Sequence, residues 1–185
     1  MGQYIVQLET PIRSLGYVDS AKLAARVTAT DERAWLTDNR RQSEYEVHAE
    51  TQSIILVFFD GWPRVEVFHA NGWDAFHDVA MPVIDEVVGK HYAPGGMVLR
   101  VVLARLLPRR RIDLHWDNHP SFSVAHRIHV PLLTNPDVEF IVGTERIATK
   151  PHHAFELNNK MPHSVYNGGG TARVHLIFDY APEQD

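Results

Sequence analysis

Arg127-Ile128-His129-Val130-Pro131-Leu132 and Arg173-Val174-His175-Leu176-Ile177-Phe178 share one pattern: Arg-x-His at alternate positions, with aliphatic or aromatic residues between them. Successive side chains on a β-strand point to opposite faces. Each stretch therefore has one face carrying the cations (Arg127, His129 and Pro131; Arg173, His175 and Ile177) and one wholly apolar face. A solvent face usually shows Lys, Glu and Thr rather than Arg-x-His twice. The cationic faces are accordingly read as lining a cavity and the apolar faces as packing on helices. Working outward, strands are expected at 97–106, 111–117, 124–133, 137–142, 145–149, 153–158, 162–166 and 171–180, separated by turn signals. Short strands at that spacing indicate a double-stranded β-helix, a cupin-like jelly roll.

The preceding half has a different character. Tyr4 to Leu8 reads as a strand ended by Pro11, and a helix is expected from Asp19, as N-cap, to Trp35. The polar segment 41–48 reads as mobile. Thr51 to Phe59 reads as a strand too apolar to face water, ended by Asp60-Gly61. Asp74 to Tyr92 is helical in pattern, with Phe76, Val79, Ile84, Val87 and Val88 as its buried set and Gly95-Gly96 beyond its end. The whole is mostly β with N-terminal helices. One domain is expected over residues 1–185, with 1–94 as a support region and 95–185 as the jelly-roll core that carries the site.

Composition narrows the function. A net charge of −5 argues against general nucleic-acid affinity, and Arg109-Arg110-Arg111 is too short a run to reverse that. The absence of cysteine removes disulfide and thiolate chemistry and suits a cytoplasmic protein. No signal peptide or membrane span is expected from the first twenty residues or from any apolar run.

Polar residues at strand spacing point to chemistry. His115 and Asp117, two apart, would present an imidazole and a carboxylate on one face, and His163 could bring a third ligand from a later strand. Two imidazoles and one carboxylate leave coordination positions open, as in non-haem Fe(II) oxygenases, whereas structural zinc sites are closed by four ligands, often cysteines. Asn167-Gly168-Gly169-Gly170 is a hairpin signal leading to Arg173. Three or five connecting residues would place His163 and Arg173 on the same face, and four would place them on opposite faces. On a shared face, the Arg173 guanidinium suits bidentate capture of a carboxylate such as one end of 2-oxoglutarate. His119 and His126 lie near the expected site as candidates to touch substrate, set against the commoner case of loop histidines that are simply exposed. Asn158 and Asn167 read as turn residues, and His152-His153 as structural because neighbouring strand residues face apart.

His115-x-Asp117, Arg127-x-His129-Val130-Pro131-Leu132, His163-Ser164-Val165-Tyr166-Asn167 and Arg173-Val174-His175-Leu176-Ile177-Phe178-Asp179 together resemble the aspartyl/asparaginyl β-hydroxylase family of Fe(II)/2-oxoglutarate dioxygenases, over roughly Gly95 to Asp179. The resemblance implies that His115 and His163 bind iron and that Arg127, His129 and Arg173 hold 2-oxoglutarate. Animal members typically have glycine where Asp117 stands. The chain is similar instead to the bacterial members and free-proline hydroxylases with a complete His115, Asp117, His163 set. Against the animal members the spacing from His115 to Arg127 is a few residues longer, so the resemblance implies an inserted loop at the site mouth over 118–124, read as a specificity element with segment 41–50 and the aromatics around Trp62. The implied reaction consumes dioxygen and 2-oxoglutarate and hydroxylates an amino-acid side chain, most often Asp or Asn in a peptide. A free amino acid such as proline is the runner-up. A cupin-like metal protein without oxygenase activity, and a jelly-roll binding module without chemistry, are the readings from other classes.

Overall fold

The computed structural model describes residues 5–37 and 50–183, so the polar segment expected at 41–48 lies outside the described residues. In chain order the elements are β1 (Ile12–Tyr17), α1 (Ala21–Thr28), a 3-10 helix (Glu32–Leu36), β2 (Thr51–Asp60), β3 (Glu66–His69) and α2 (Trp73–His91). Then follow β4 (Met97–Leu106), β5 (Arg111–His115), a 3-10 helix (Pro120–Ser123), β6 (His126–Leu133), β7 (Val138–Val142), β8 (Glu145–Ile147), β9 (His153–Leu157), β10 (His163–Asn167) and β11 (Arg173–Ala181). The strands form a seven-stranded sheet ordered β1-β9-β6-β11-β4-β2-β3 and a four-stranded sheet ordered β5-β10-β7-β8, facing each other as a jelly roll. Three strands of the larger sheet come from the N-terminal half, which therefore builds part of the barrel wall as well as the layer outside it.

The alternation in β6 and β11 sorts the side chains as expected. Ile128, Val130, Leu132, Val174, Leu176 and Phe178 pack with Leu23 and Val27 of α1 and with Phe76, Ile84 and Val87 of α2. At roughly 1.5–3 kcal/mol for each large apolar side chain removed from water, this layer is what holds the helices. α1 is only 8 residues long and Ser20 gives it no side-chain cap, so burial of Leu23, Ala24 and Val27 decides its stability. α2 runs through Pro82, which is exposed, as is Asp78 four residues before it; the carbonyl that proline leaves unbonded can turn to water. A second apolar cluster, including Leu106, Phe140, Phe155, Leu157 and Val165, fills the space between the two sheets.

Three sequence expectations change. Residues 5–8 form no strand, and β1 begins after Pro11 because Ile12 to Tyr17 finds a partner in β9, with Ile12 opposite Leu157. The helix expected from Asp19 to Trp35 is two pieces: α1 starts one residue past Ser20, and the Asp31 side chain accepts from Arg33 N at 2.8 Å to start a separate turn. The Asn167-Gly170 turn does not make a hairpin. β10 and β11 lie in different sheets, and the connection carries the chain across the cavity between them. Asn167, fully buried, braces that crossing by donating to the Leu106, Leu107 and Thr171 carbonyls at 3.1, 3.2 and 2.9 Å.

Candidate metal centre

His115 closes β5 and stands opposite His163 of β10 in register. Their ring centroids are 4.3 Å apart. Asp117 lies beyond the end of β5, on an irregular segment, so it is the loop and not the strand repeat that brings it round. Its N–H donates to the Asn159 carbonyl at 3.3 Å. One ligand atom from each of His115, Asp117 and His163 lies within 4.8 Å of the other two. Atoms that each sit roughly 2.1 Å from a common ion are no more than about 4.2 Å apart, so small side-chain rotations bring this trio onto one metal.

The tautomers suit such a role. His115 Nδ1 lies 2.8 Å from the Asp113 carbonyl and His163 Nδ1 lies 3.0 Å from the Met161 carbonyl. A carbonyl only accepts, so each Nδ1 carries a proton, the arrangement that in a neutral ring leaves Nε2 as the ligating nitrogen. Burial pushes the His163 imidazolium down, with His115 and Arg127 adding to the effect against the pull of Asp117 and the Met161 carbonyl, so the ring is held neutral. Neutral imidazole is the ligating form.

Arg127 stands behind the carboxylate. Its Nη1 donates to Asp117 Oδ2 at 2.9 Å, and its Nε and Nη2 donate to the two oxygens of Asp179 at 2.9 and 3.0 Å. Burial disfavours charge on Arg127, yet Asp117 and Asp179 outweigh it and hold the guanidinium protonated. Asp179 is likewise buried, which alone would raise its pKa, but Arg127 and Arg100 keep it below the usual carboxylate range. Phe122 lies under both guanidiniums, with its ring centroid 4.1 Å from Arg127 Cζ and 4.8 Å from Arg100 Cζ. Within the 118–124 segment Phe122 is thus packed against the charged row and Ser121 is fully buried, while Asn118 and Pro120 are exposed.

His115, His163, Arg127, His129, Arg173 and Phe140 line one cavity between the sheets, of about 40 Å³. Arg173, 2% exposed, reaches this cavity from β11. Its Nη2 donates to His175 Nδ1 at 2.8 Å. Burial, with the nearby Arg173 and His129, lowers the His175 pKa far below its ordinary value, so that ring is neutral and accepts at Nδ1. His129 Nδ1 lies 3.3 Å from the same nitrogen, and its ring stacks on Phe155 at 5.2 Å.

Other sequence candidates lie apart from the trio. His126 pairs with Glu156 at 2.6 Å, His119 Nδ1 with Ser121 Oγ at 2.8 Å, and His152 Nδ1 with Ser20 Oγ at 2.7 Å. His153 Nδ1 bonds the Pro151 carbonyl at 3.0 Å, and Asn158 holds the carbonyls of Leu8 and Thr10. Sequence reasoning assigned no role to Asp179 or Arg100. Asp179 shares the odd-numbered face of Arg173 and His175, a signal open to the same alternation argument. Arg100 is revealed only by the pairing of β4 with β11.

With this geometry in place, the family comparison is decisive. The model of the aspartyl/asparaginyl beta-hydroxylase family matches residues 24–182. The chain belongs to that family. As a member of the aspartyl/asparaginyl β-hydroxylase family it is a 2-oxoglutarate-dependent dioxygenase that uses Fe(II). Solved structures share its fold. A viral collagen prolyl hydroxylase from Paramecium bursaria Chlorella virus-1, in complex with 2-oxoglutarate, is 10% identical with a TM-score of 0.59, and the match covers 95% of this chain and 98% of that one. A non-heme monooxygenase, ThoJ, as its nickel complex, is 15% identical with a TM-score of 0.56, covering 93% and 74%. A Pseudomonas putida prolyl-4-hydroxylase is 13% identical with a TM-score of 0.52, covering 95% of each chain. At these identities the likeness is one of fold. No curated protein matches the sequence. Among the described residues, no helix is long and apolar enough to cross a membrane.

Proposed function

We propose that His115, Asp117 and His163 hold the Fe(II) of this dioxygenase, that Arg173 and His129 anchor 2-oxoglutarate, with Arg127 at the carboxylate ligand, and that the substrate is an aspartyl or asparaginyl side chain in a peptide or protein. One observation carries the reading: the three candidate ligands converge, and two of them, His115 and His163, line a cavity whose wall also contains Arg173. When bound, Fe(II) with 2-oxoglutarate and dioxygen supplies the oxidising power, yielding succinate, carbon dioxide and one oxygen atom inserted into a C–H bond. The protein contributes position and dryness. The carbonyls of Asp113 and Met161 fix the imidazoles, His175 orients the Arg173 guanidinium, and Phe140, packed against Phe155, gives the cavity an apolar wall.

Support for a polypeptide substrate comes from the family description. Leu114 and Trp116, flanking His115, are 65% and 64% exposed on the outer side of the chain there, and neither lines the cavity. Carriage of Asp117 favours a second reading, a free amino acid as substrate, by resemblance to free-proline hydroxylases. A mass-spectrometric screen of Asp- and Asn-containing peptides beside free amino acids, scored for gain of one oxygen with stoichiometric succinate, separates the two. Oxygen insertion into free proline alone would refute the Asp/Asn assignment while leaving the chemistry standing.

A further inference from the structure

Asp117 is a ligand candidate on a loop, and a loop-borne carboxylate needs something rigid to aim it. Its backbone tie to Asn159 fixes the chain but leaves the side chain to rotate. The rigid part is a row of charges across the middle of the larger sheet. Arg127 on β6, Asp179 on β11 and Arg100 on β4 are direct cross-strand partners. Asp179, 0% exposed, takes two bonds from Arg127 at 2.9 and 3.0 Å and one from Arg100 Nη1 at 2.8 Å. Arg100 Nη1 also reaches Ser121 Oγ at 3.1 Å. With Asp179 on one edge of its guanidinium, Arg127 turns Nη1 to Asp117. Two guanidiniums and two carboxylates balance in charge, so the set can remain ionised in a buried place.

We propose that Asp179, acting through Arg127, is the positioning residue for the carboxylate ligand Asp117. Arg127 then serves the metal ligand rather than being chiefly a cosubstrate anchor, and the fork that captures 2-oxoglutarate is Arg173. Supporting groups around metal ligands usually act by fixing ligand orientation, and their loss costs roughly 10- to 100-fold in metal affinity. The inference rests on the ligand set proposed above.

The test is anaerobic titration of the full chain with Co(II), followed by its visible absorption, together with Fe(II) affinity by chelator competition. Asp179→Asn keeps the shape but removes the charge and one acceptor. It is expected to weaken metal binding by roughly 10- to 100-fold and to leave the 2-oxoglutarate concentration at half-saturation, measured at saturating Fe(II), within about twofold. In an Asp117→Ala background the same change should add no further loss, because residues acting through one another are not additive. Circular dichroism checks the fold. If Asp179→Asn fails to fold, Arg127→Lys takes its place in the same titration and should lose metal affinity, since an ammonium lacks the planar fork that spans both carboxylates. Unchanged metal affinity in a folded variant, a shift confined to 2-oxoglutarate, or a full additive loss in the Asp117→Ala background overturns the inference. Wild-type chain that binds no Co(II), or Asp117→Ala that binds it as tightly as wild type, overturns the ligand set itself.

Discussion

Replacing Arg173 with alanine is expected to raise the KM for 2-oxoglutarate by about 30- to 1000-fold. The range follows from where the side chain sits. Arg173 is 2% exposed, its guanidinium lies 5.7 Å from the Phe140 ring centroid, and His175 fixes one edge of it at 2.8 Å. A charge-assisted contact to a carboxylate in so dry a setting is worth about 2–4 kcal/mol when one partner is removed, and each 1.4 kcal/mol is tenfold in affinity. The substitution also removes the Arg173 donor from the buried His175 Nδ1, leaving only the longer contact to His129 Nδ1 at 3.3 Å, and so lowers stability. Thermal unfolding is therefore measured alongside, and kinetics are run well below the variant's Tm. The assay is initial succinate release against 2-oxoglutarate concentration at saturating Fe(II). Arg173→Lys should recover only part of the loss, since its ammonium cannot grip both oxygens in plane. A KM within about twofold of wild type in a folded Arg173→Ala protein would refute the reasoning and return the cosubstrate to Arg127.

Two further outcomes are expected. Asp117→Ala should weaken Fe(II) retention strongly and abolish the weak visible charge-transfer band expected when Fe(II) and 2-oxoglutarate are combined anaerobically; unchanged iron affinity and turnover would place Asp117 outside the ligand set. Acid stability should follow Glu156, whose carboxylate is fully buried and bonded to His126 at 2.6 Å, Tyr92 at 3.0 Å and Arg13 at 2.7 Å. Burial would raise its pKa, but His126, Arg13 and Tyr92 outweigh that and hold it below the ordinary 4.5. A depressed folded-state pKa gives stability that is complete above the unfolded value and is lost as pH falls through the folded one. The wild-type Tm should therefore drop as pH falls below the ordinary glutamate range, and Glu156→Gln, less stable at neutral pH, should show a flatter decline; equal slopes would remove Glu156 from the linkage.

The strands from Met97 onward, the apolar and cationic faces of β6 and β11, and the metal-ligand candidates were legible in the sequence because each depends on local rules. Alternation with period two is written into Ile128, Val130 and Leu132 whatever they pack against. Imidazole and carboxylate chemistry is carried by the residue type. The β3 strand was not legible, since Glu66 to His69 has little apolar pattern and is a strand because β2 offers it an edge.

Partner choice is what the linear chain could not express. Asn167-Gly168-Gly169-Gly170 encodes a reversal, yet whether the next strand joins the same sheet or the opposite one is settled by which edge is already occupied: β10 lies between β5 and β7, leaving β11 to pair with β4 and β6. The parity of the connecting loop consequently lost its meaning, and His163 and Arg173 share a cavity because two sheets face each other. Asp117 arrives from a loop rather than a strand face. Arg127 is turned toward Asp117 by Asp179, fifty-two residues away in sequence and adjacent only across the β6–β11 pair. The sequence alone determined which chemistry was present and which faces would be polar or apolar, because side-chain identity and period two are local properties. Only the tertiary structure decided which charges meet, because ion-pair geometry depends on strand order and register, which long-range packing sets.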